Sequence, residues 1–127
     1  MKTGIIGSRN LLVQNFTLYV PEETSEIVSG GAIGVDTCAR EYAHALGIKL
    51  TEFLPDYPRY GRKAPLIRNM QIIEYCDIVL AFWDGMSRGT KYVINNCINR
   101  GVPIKIYLRD KTSMLDFVDL PKDKFKG

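Results

Sequence analysis

Ile27-Val28-Ser29-Gly30-Gly31-Ala32-Ile33-Gly34-Val35-Asp36 is the stretch on which the fold turns. A short β-branched run stops at a glycine pair, and an amphipathic pattern begins directly behind it. Gly30 and Gly31 can take backbone angles closed to other residues and put no side chain between the chain and an approaching ligand. Beyond them Val35, Cys38, Ala39, Tyr42, Ala43 and Leu46 fall on one face of a helix, and Gly47 suits its C-terminal end. The reading is strand, turn, helix. The first turn of such a helix offers unpaired N–H groups and the positive end of a dipole, so an anion is its natural guest. Close packing of strand against helix also calls for glycine here, so the functional case rests on what other turns aim at the same place.

Working outward, Thr3 to Gly7 is an apolar run closed by Gly7-Ser8-Arg9, and Leu11, Leu12, Phe16 and Tyr19 predict a helix over Asn10 to about Tyr19. Val20 to Thr24 breaks it. Ile48 to Leu54 predicts the third strand. Pro55 to Lys63 reads as a long loop carrying Tyr57 and Tyr60. Pro65 suits the start of the next helix, whose buried face is predicted as Leu66, Ile67, Met70 and Ile73, with Arg68, Asn69 and Gln71 off it. Asp77-Ile-Val-Leu-Ala-Phe-Trp83 is a near-continuous apolar run of the kind buried on both faces of a parallel sheet. Asp84 to Thr90 is a second glycine-bearing turn, followed by a helix burying Val93, Ile94, Cys97 and Ile98 and stopping near Gly101. Val102 to Leu108 is the last strand. Strand and helix alternate, which predicts an α/β fold: a parallel sheet of about five strands with helices on both faces. Residues 109–127 form a C-terminal extension in which the pattern fades, expected to be ordered in part at most.

With 127 residues, 46% of them hydrophobic, one domain spanning 1–127 is expected. A net charge of +3 permits a polyanion partner without requiring one. Thr3-Gly-Ile-Ile-Gly7 is too short an apolar run for a signal peptide, and no stretch is long enough to span a bilayer, so a cytoplasmic protein without membrane contact is expected. Cys38, Cys76 and Cys97 fit reduced core thiols better than disulfides or a zinc site. His44 is the sole histidine, on the polar side of its helix, and neither a metal site nor a cofactor is expected.

In an open parallel sheet the carboxyl ends of the strands share one edge, and ligands bind there where helices diverge to opposite faces. The turns Gly7-Ser8-Arg9, Ser29 to Gly34 and Gly85 to Thr90 meet at that edge. One exposed helix N-terminus contributes only about 0.3–1 kcal/mol to a nearby anion. A micromolar ligand needs about 8 kcal/mol, towards which charge-assisted bonds from Arg9, Arg68 or Arg88 supply about 1.5–3 kcal/mol each. Ser8 and Ser87 also suit plain N-caps, and Asp36 a helix-dipole role. Trp83 reads as core rather than as a stacking platform.

Gly7-Ser8-Arg9, Ile27 to Ala32 with Gly34-Val35-Asp36, Arg68-Asn69, Asp77, and Ala81 to Gly85 with Ser87-Arg88-Gly89-Thr90 together resemble the YspA-type (YpsA-related) branch of the SLOG superfamily, over about residues 3 to 107. The resemblance implies a Rossmann-like domain of bacteria and phages with a pocket for a nucleotide or nucleotide-derived ligand. Ile27 to Asp36 also resembles DprA (Smf), which binds single-stranded DNA through a related domain. A more distant likeness is to the LOG phosphoribohydrolases, whose Pro-Gly-Gly-x-Gly-Thr-x-x-Glu turn ends on a catalytic glutamate. Here Asp84-Gly85 replaces Pro-Gly-Gly and Val93 stands at the glutamate position, so that activity is not carried over and no catalytic residue is assigned.

The expected site therefore holds phosphate or diphosphate on the backbone of residues 29 to 34 (Ser29, Gly30, Gly31, Gly34) and 87 to 90 (Ser87, Arg88, Gly89, Thr90). Arg68 and Arg88 hold the charge, with Asn69 beside Arg68. Gly7, Ser8 and Arg9 close one side, and Gly85 shapes the second turn. Asp36 or Asp84 takes ribose hydroxyls, and Tyr57 or Tyr60 covers the base. The expected partner is a nucleotide-like small molecule, ahead of single-stranded nucleic acid, and relatives of this kind are commonly homodimers.

Overall fold

Neighbouring residues on the central strands face two different cores. The computed structural model describes residues 1–111 and 116–127, and it holds strands β1 (Lys2–Gly7), β2 (Glu26–Ser29), β3 (Lys49–Glu52), β4 (Ile78–Trp83), β5 (Ile104–Arg109) and β6 (Phe117–Leu120). Ile5, Ile27, Leu80 and Phe82 point to one side of the sheet, and Ile6, Val28, Val79 and Ala81 to the other, as the period of two requires. The helices are α1 (Val35–Leu46), α2 (Tyr57–Tyr60), α3 (Ala64–Tyr75) and α4 (Arg88–Arg100). Val35, Ala39 and Ala43 of α1 cover the first side. Ile72 and Ile73 of α3, with Val93, Ile94 and Cys97 of α4, cover the second.

The sheet order is β3-β2-β1-β4-β5-β6, with β1 to β5 parallel and β6 antiparallel to β5. From β1 the chain steps to β2 and β3 in one direction, then returns to β4 and β5 in the other. Right-handed crossovers put connections of opposite direction on opposite faces, which is why α1 lies on one face and α3 and α4 on the other. The reversal falls between β1 and β4. This is an α/β, Rossmann-like architecture with helices on both faces, carrying a sixth strand beyond the five expected.

Four expectations are corrected. The predicted helix over Asn10 to Tyr19 is absent: Leu11 and Val13 are buried in alternation while Leu12 is 67% exposed, and only Phe16–Leu18 forms a 3-10 turn. Asn15 there accepts from the Thr17 N–H, a local bond that competes with helix, and aromatic packing does the rest, with Phe16 and Tyr19 at 5.5 and 5.2 Å from Phe82. Within Pro55 to Lys63 the chain coils twice, as α2 capped by Asp56 and as a 3-10 turn over Gly61–Lys63. The inward row of α3 is Ala64, Arg68, Ile72 and Ile73, not Leu66 and Ile67, and Leu66, Leu46 and Ile98 are exposed. The C-terminal extension adds β6 and a 3-10 turn over Lys122–Lys124, with Phe117 against Phe82 and Phe125 against Trp83. Residues 112–115 of that extension lie outside the described residues.

Gly47 and Gly101 end α1 and α4 in the left-handed region as their sequence positions predict. Cys38, Cys76 and Cys97 are free, and burial pushes the Cys76 and Cys97 thiols up to about 12 and about 11, which keeps them unreactive. No helix among the described residues is long and apolar enough to cross a membrane.

Candidate functional site: a crevice at the carboxyl edge of the sheet

Where the strand order reverses, a cavity of about 430 Å³ opens at the carboxyl ends of the strands, the place where open α/β sheets bind ligands. β1 and its following residues bring Gly7, Ser8, Arg9 and Asn10 to it. The turn after β2 brings Gly30 and Ala32, and α1 brings Asp36. α3 brings Pro65, Arg68 and Asn69, and the start of α4 brings Ser87, Gly89 and Thr90. Ile6, Ile72 and Val93 supply apolar surface continuous with the core.

Arg68 is the unusual group. It stands one helical turn from Ala64 and from Ile72 on the inward row of α3 and is only 8% exposed. Its Nη1 donates to the Gly30 carbonyl at 2.6 Å and its Nε to Asn69 Oδ1 at 2.8 Å, while Nη2 has no acceptor among the described residues. Burial pulls its proton affinity down and the Asp36 carboxylate pulls it back; a guanidinium stays charged throughout the range of interest. Two of its nitrogens are fixed by the chain and the residue lines the crevice, so an anion that reaches the third meets a charge-assisted donor held in place.

Asp36 lies in the first turn of α1, 7% exposed. Its Oδ2 accepts from the Ala32 N–H at 3.1 Å. Burial raises its proton affinity, opposed by the Ala32 N–H, the Arg68 charge and the Gly30 N–H. The Gly31 N–H turns to Ser29 Oγ at 3.4 Å. The glycine turn is thus occupied largely by the chain's own oxygens.

The second turn is built differently. Asp84 Oδ1 accepts from the Met86 and Ser87 N–H groups at 2.8 and 2.7 Å, and the Asp84 N–H donates to Ser8 Oγ at 3.3 Å. Burial pushes the Asp84 carboxyl up, but the Ser87 and Met86 N–H groups with Ser8 and Asn10 outweigh it and hold it below the ordinary value. Ser87 caps α4, accepting from the Thr90 N–H at 3.4 Å. That leaves the N–H groups of Arg88 and Gly89 in the first helical turn facing outward from the helix end. A side chain at Gly89 would meet nothing within 4 Å, so this end is open to a ligand.

No family model matches the chain. It is similar to the Gene 61 protein of Mycobacterium phage D29, 32% identical over 84 residues that cover 61% of this chain and 67% of that protein. The chain belongs to the Gene 61 protein family. That relative is phage-encoded.

In this Gene 61 family member the fold gathers most, but not all, of the residues expected at the site. Gly7, Ser8, Arg9, Gly30, Asp36, Arg68, Asn69, Ser87, Gly89 and Thr90 line the crevice. Ser29, Gly31, Gly34, Asp84, Gly85 and Arg88 do not. Ser29, Gly31 and Asp84 shape the turns through their hydrogen bonds, and Gly34 backs onto the Arg9 backbone at a φ of 78°. Arg68, expected on an outer flank, is buried. Tyr57 is 52% exposed and does not line the crevice, though its hydroxyl acts on the Arg68 charge. Tyr60 lines a separate cavity of about 290 Å³ on which Arg68 also borders. Trp83 is core, as expected, its Nε1 donating to the Ser87 carbonyl at 3.0 Å. Ala32 belongs to the expected backbone cradle of residues 29 to 34. Asn10 and Pro65 were missed; both sit directly beside turn and helix starts that were recognised, which is the signal that would have found them.

Proposed function

We propose that this protein binds or senses a nucleotide or nucleotide-derived, phosphoribosyl-containing ligand in the crevice, with a phosphate on the first turn of α4. The observation that supports this most is Arg68: a buried guanidinium with two nitrogens fixed and a third unengaged, lining the same cavity as Ser87, Gly89 and Thr90. A cavity of about 430 Å³ falls within the size range of small-molecule sites. The SLOG resemblance points to the same ligand class. Val93 at the position of the LOG glutamate favours binding over glycosidic cleavage.

The test is a thermal-shift screen of nucleotides followed by calorimetry and recovery of the ligand. Ligand at a hundred times its dissociation constant stabilises the fold by about 2.7 kcal/mol. Arg68→Lys keeps the charge and loses the fork, and a tenfold or greater loss of affinity with the fold intact is expected. Unchanged affinity removes Arg68 from the site. Recovery of free base and sugar phosphate in place of the intact nucleotide overturns the binding-only reading in favour of an N-glycosidic enzyme. A shift with single-stranded DNA and none with nucleotides overturns the small-molecule reading.

A further inference from the structure

The two glycine-bearing turns at the crevice look alike in sequence and differ in what their N–H groups do. In the first, Ala32 N–H is bound to Asp36 Oδ2 and Gly31 N–H to Ser29 Oγ. The carboxylate sits where an incoming phosphate would have to sit. It cannot swing out to solvent without abandoning that bond, and at 7% exposure it is enclosed on a helix whose start is packed against the turn. In the second turn the acid, Asp84, binds the Met86 and Ser87 N–H groups ahead of the helix and stays out of the crevice lining. The first N–H groups of α4 are left open beside Gly89.

We infer that Asp36 fills the anion seat of the Gly30–Ala32 turn, so that the crevice accepts a ligand carrying one phosphate and rejects one carrying two. The inference rests on the proposed function and narrows its ligand class to nucleoside monophosphates and sugar monophosphates. One phosphate sits on the α4 start and takes the free Nη2 of Arg68, a buried side chain from a different element lining the same cavity. A second phosphate directed at the Gly30–Ala32 turn meets the Asp36 carboxylate, where like charges repel more strongly than in water, and the deep wall of Ile6, Ile72 and Val93 offers no donor there, the remaining polar lining being Ser8, Arg9, Asn10 and Asn69. Arg9, exposed at the mouth, adds positive charge outside the enclosed part. Asp36 is therefore a specificity-determining residue, and Gly30 leaves room for Arg68 rather than for a ligand's diphosphate.

Calorimetric titration of the purified protein with AMP, GMP, CMP and UMP, each against the corresponding diphosphate, tests this. The best monophosphate is expected to bind at least tenfold more tightly than its diphosphate. Asp36→Asn, which keeps an acceptor for the Ala32 N–H and removes the charge, is expected to shrink that ratio below threefold; Asp36→Ser serves if the asparagine variant does not fold. A diphosphate bound as tightly as its monophosphate in the native chain overturns the inference and leaves the proposed function standing. A ratio unchanged in both variants overturns the role of Asp36. Absence of binding by all eight nucleotides overturns the proposed function and this inference with it.

Discussion

A Cβ on Gly30 would stand 2.5 Å from Arg68 Nη1 and 2.9 Å from its Cζ. Gly30 has no positive φ, so the demand for glycine comes from the guanidinium, not from the backbone. Gly30→Ala is expected to preserve the fold, because the clash is with the far end of a side chain, yet to displace Arg68 and lower nucleotide affinity at least tenfold in calorimetry. An unchanged affinity would mean that the guanidinium position does not matter. Asp36 supports a prediction on pH. Its proton affinity is raised in the folded state, chiefly by burial, so the native protein binds that proton more tightly than the unfolded chain. Its contribution is greatest at low pH and is lost as pH rises from the ordinary value of 3.8 through the folded one. Urea unfolding at several pH values from about 4 to 7 should show Asp36→Asn gaining stability relative to the native protein as pH rises, and a variant that loses ground to the native protein over that range would contradict this. At this scale the residue types were legible from sequence and their partners were not: an arginine between Ile67 and Asn69 does not announce that its row of the helix faces inward.

The segment between β1 and β2 illustrates what elements add. It carries enough leucine and aromatic residues for a helix, but the face it must cover is already shared with α1, and Leu11, Val13 and Phe16 reach that face from an irregular path that includes the Phe16–Leu18 turn. Phe16 packs against Phe82 and Tyr42, both with ring centroids 5.5 Å away. Phe16→Ala is expected to cost about 3–5 kcal/mol, read as a lower urea midpoint. A loss within experimental error would show that the segment does not close this core. The helices with strong local signals, α1 and α4, were legible down to their terminal glycines, because capping depends on the residues at the helix end alone. The register of α3 was not, since its inward row is chosen by the crevice and by the core beneath it.

For the whole molecule, the reversal of strand order between β1 and β4 creates the crevice, and the C-terminal strand closes the far edge. Phe117 lies 5.1 Å from Phe82, and Phe125 lies 5.4 Å from Trp83, so both cores lean on the extension. Truncation after Arg109 is expected to lower stability by about 2–4 kcal/mol through the lost aromatic burial and to expose β5 as an edge prone to association. An unaltered melting temperature would show that the extension is dispensable. The successions β2-α1-β3 and α3-β4-α4-β5, the apolar strand β4, both glycine turns and the ends of α1 and α4 were determined by the sequence itself, because each depends on residues close together in the chain. Only the tertiary structure decided that Arg68 points inward, that Asp36 occupies the first turn, that residues 8–25 cross the sheet without a regular helix and that a sixth strand joins the edge. Each of these depends on which distant groups meet, and burial and charge settle that only once the whole chain is assembled.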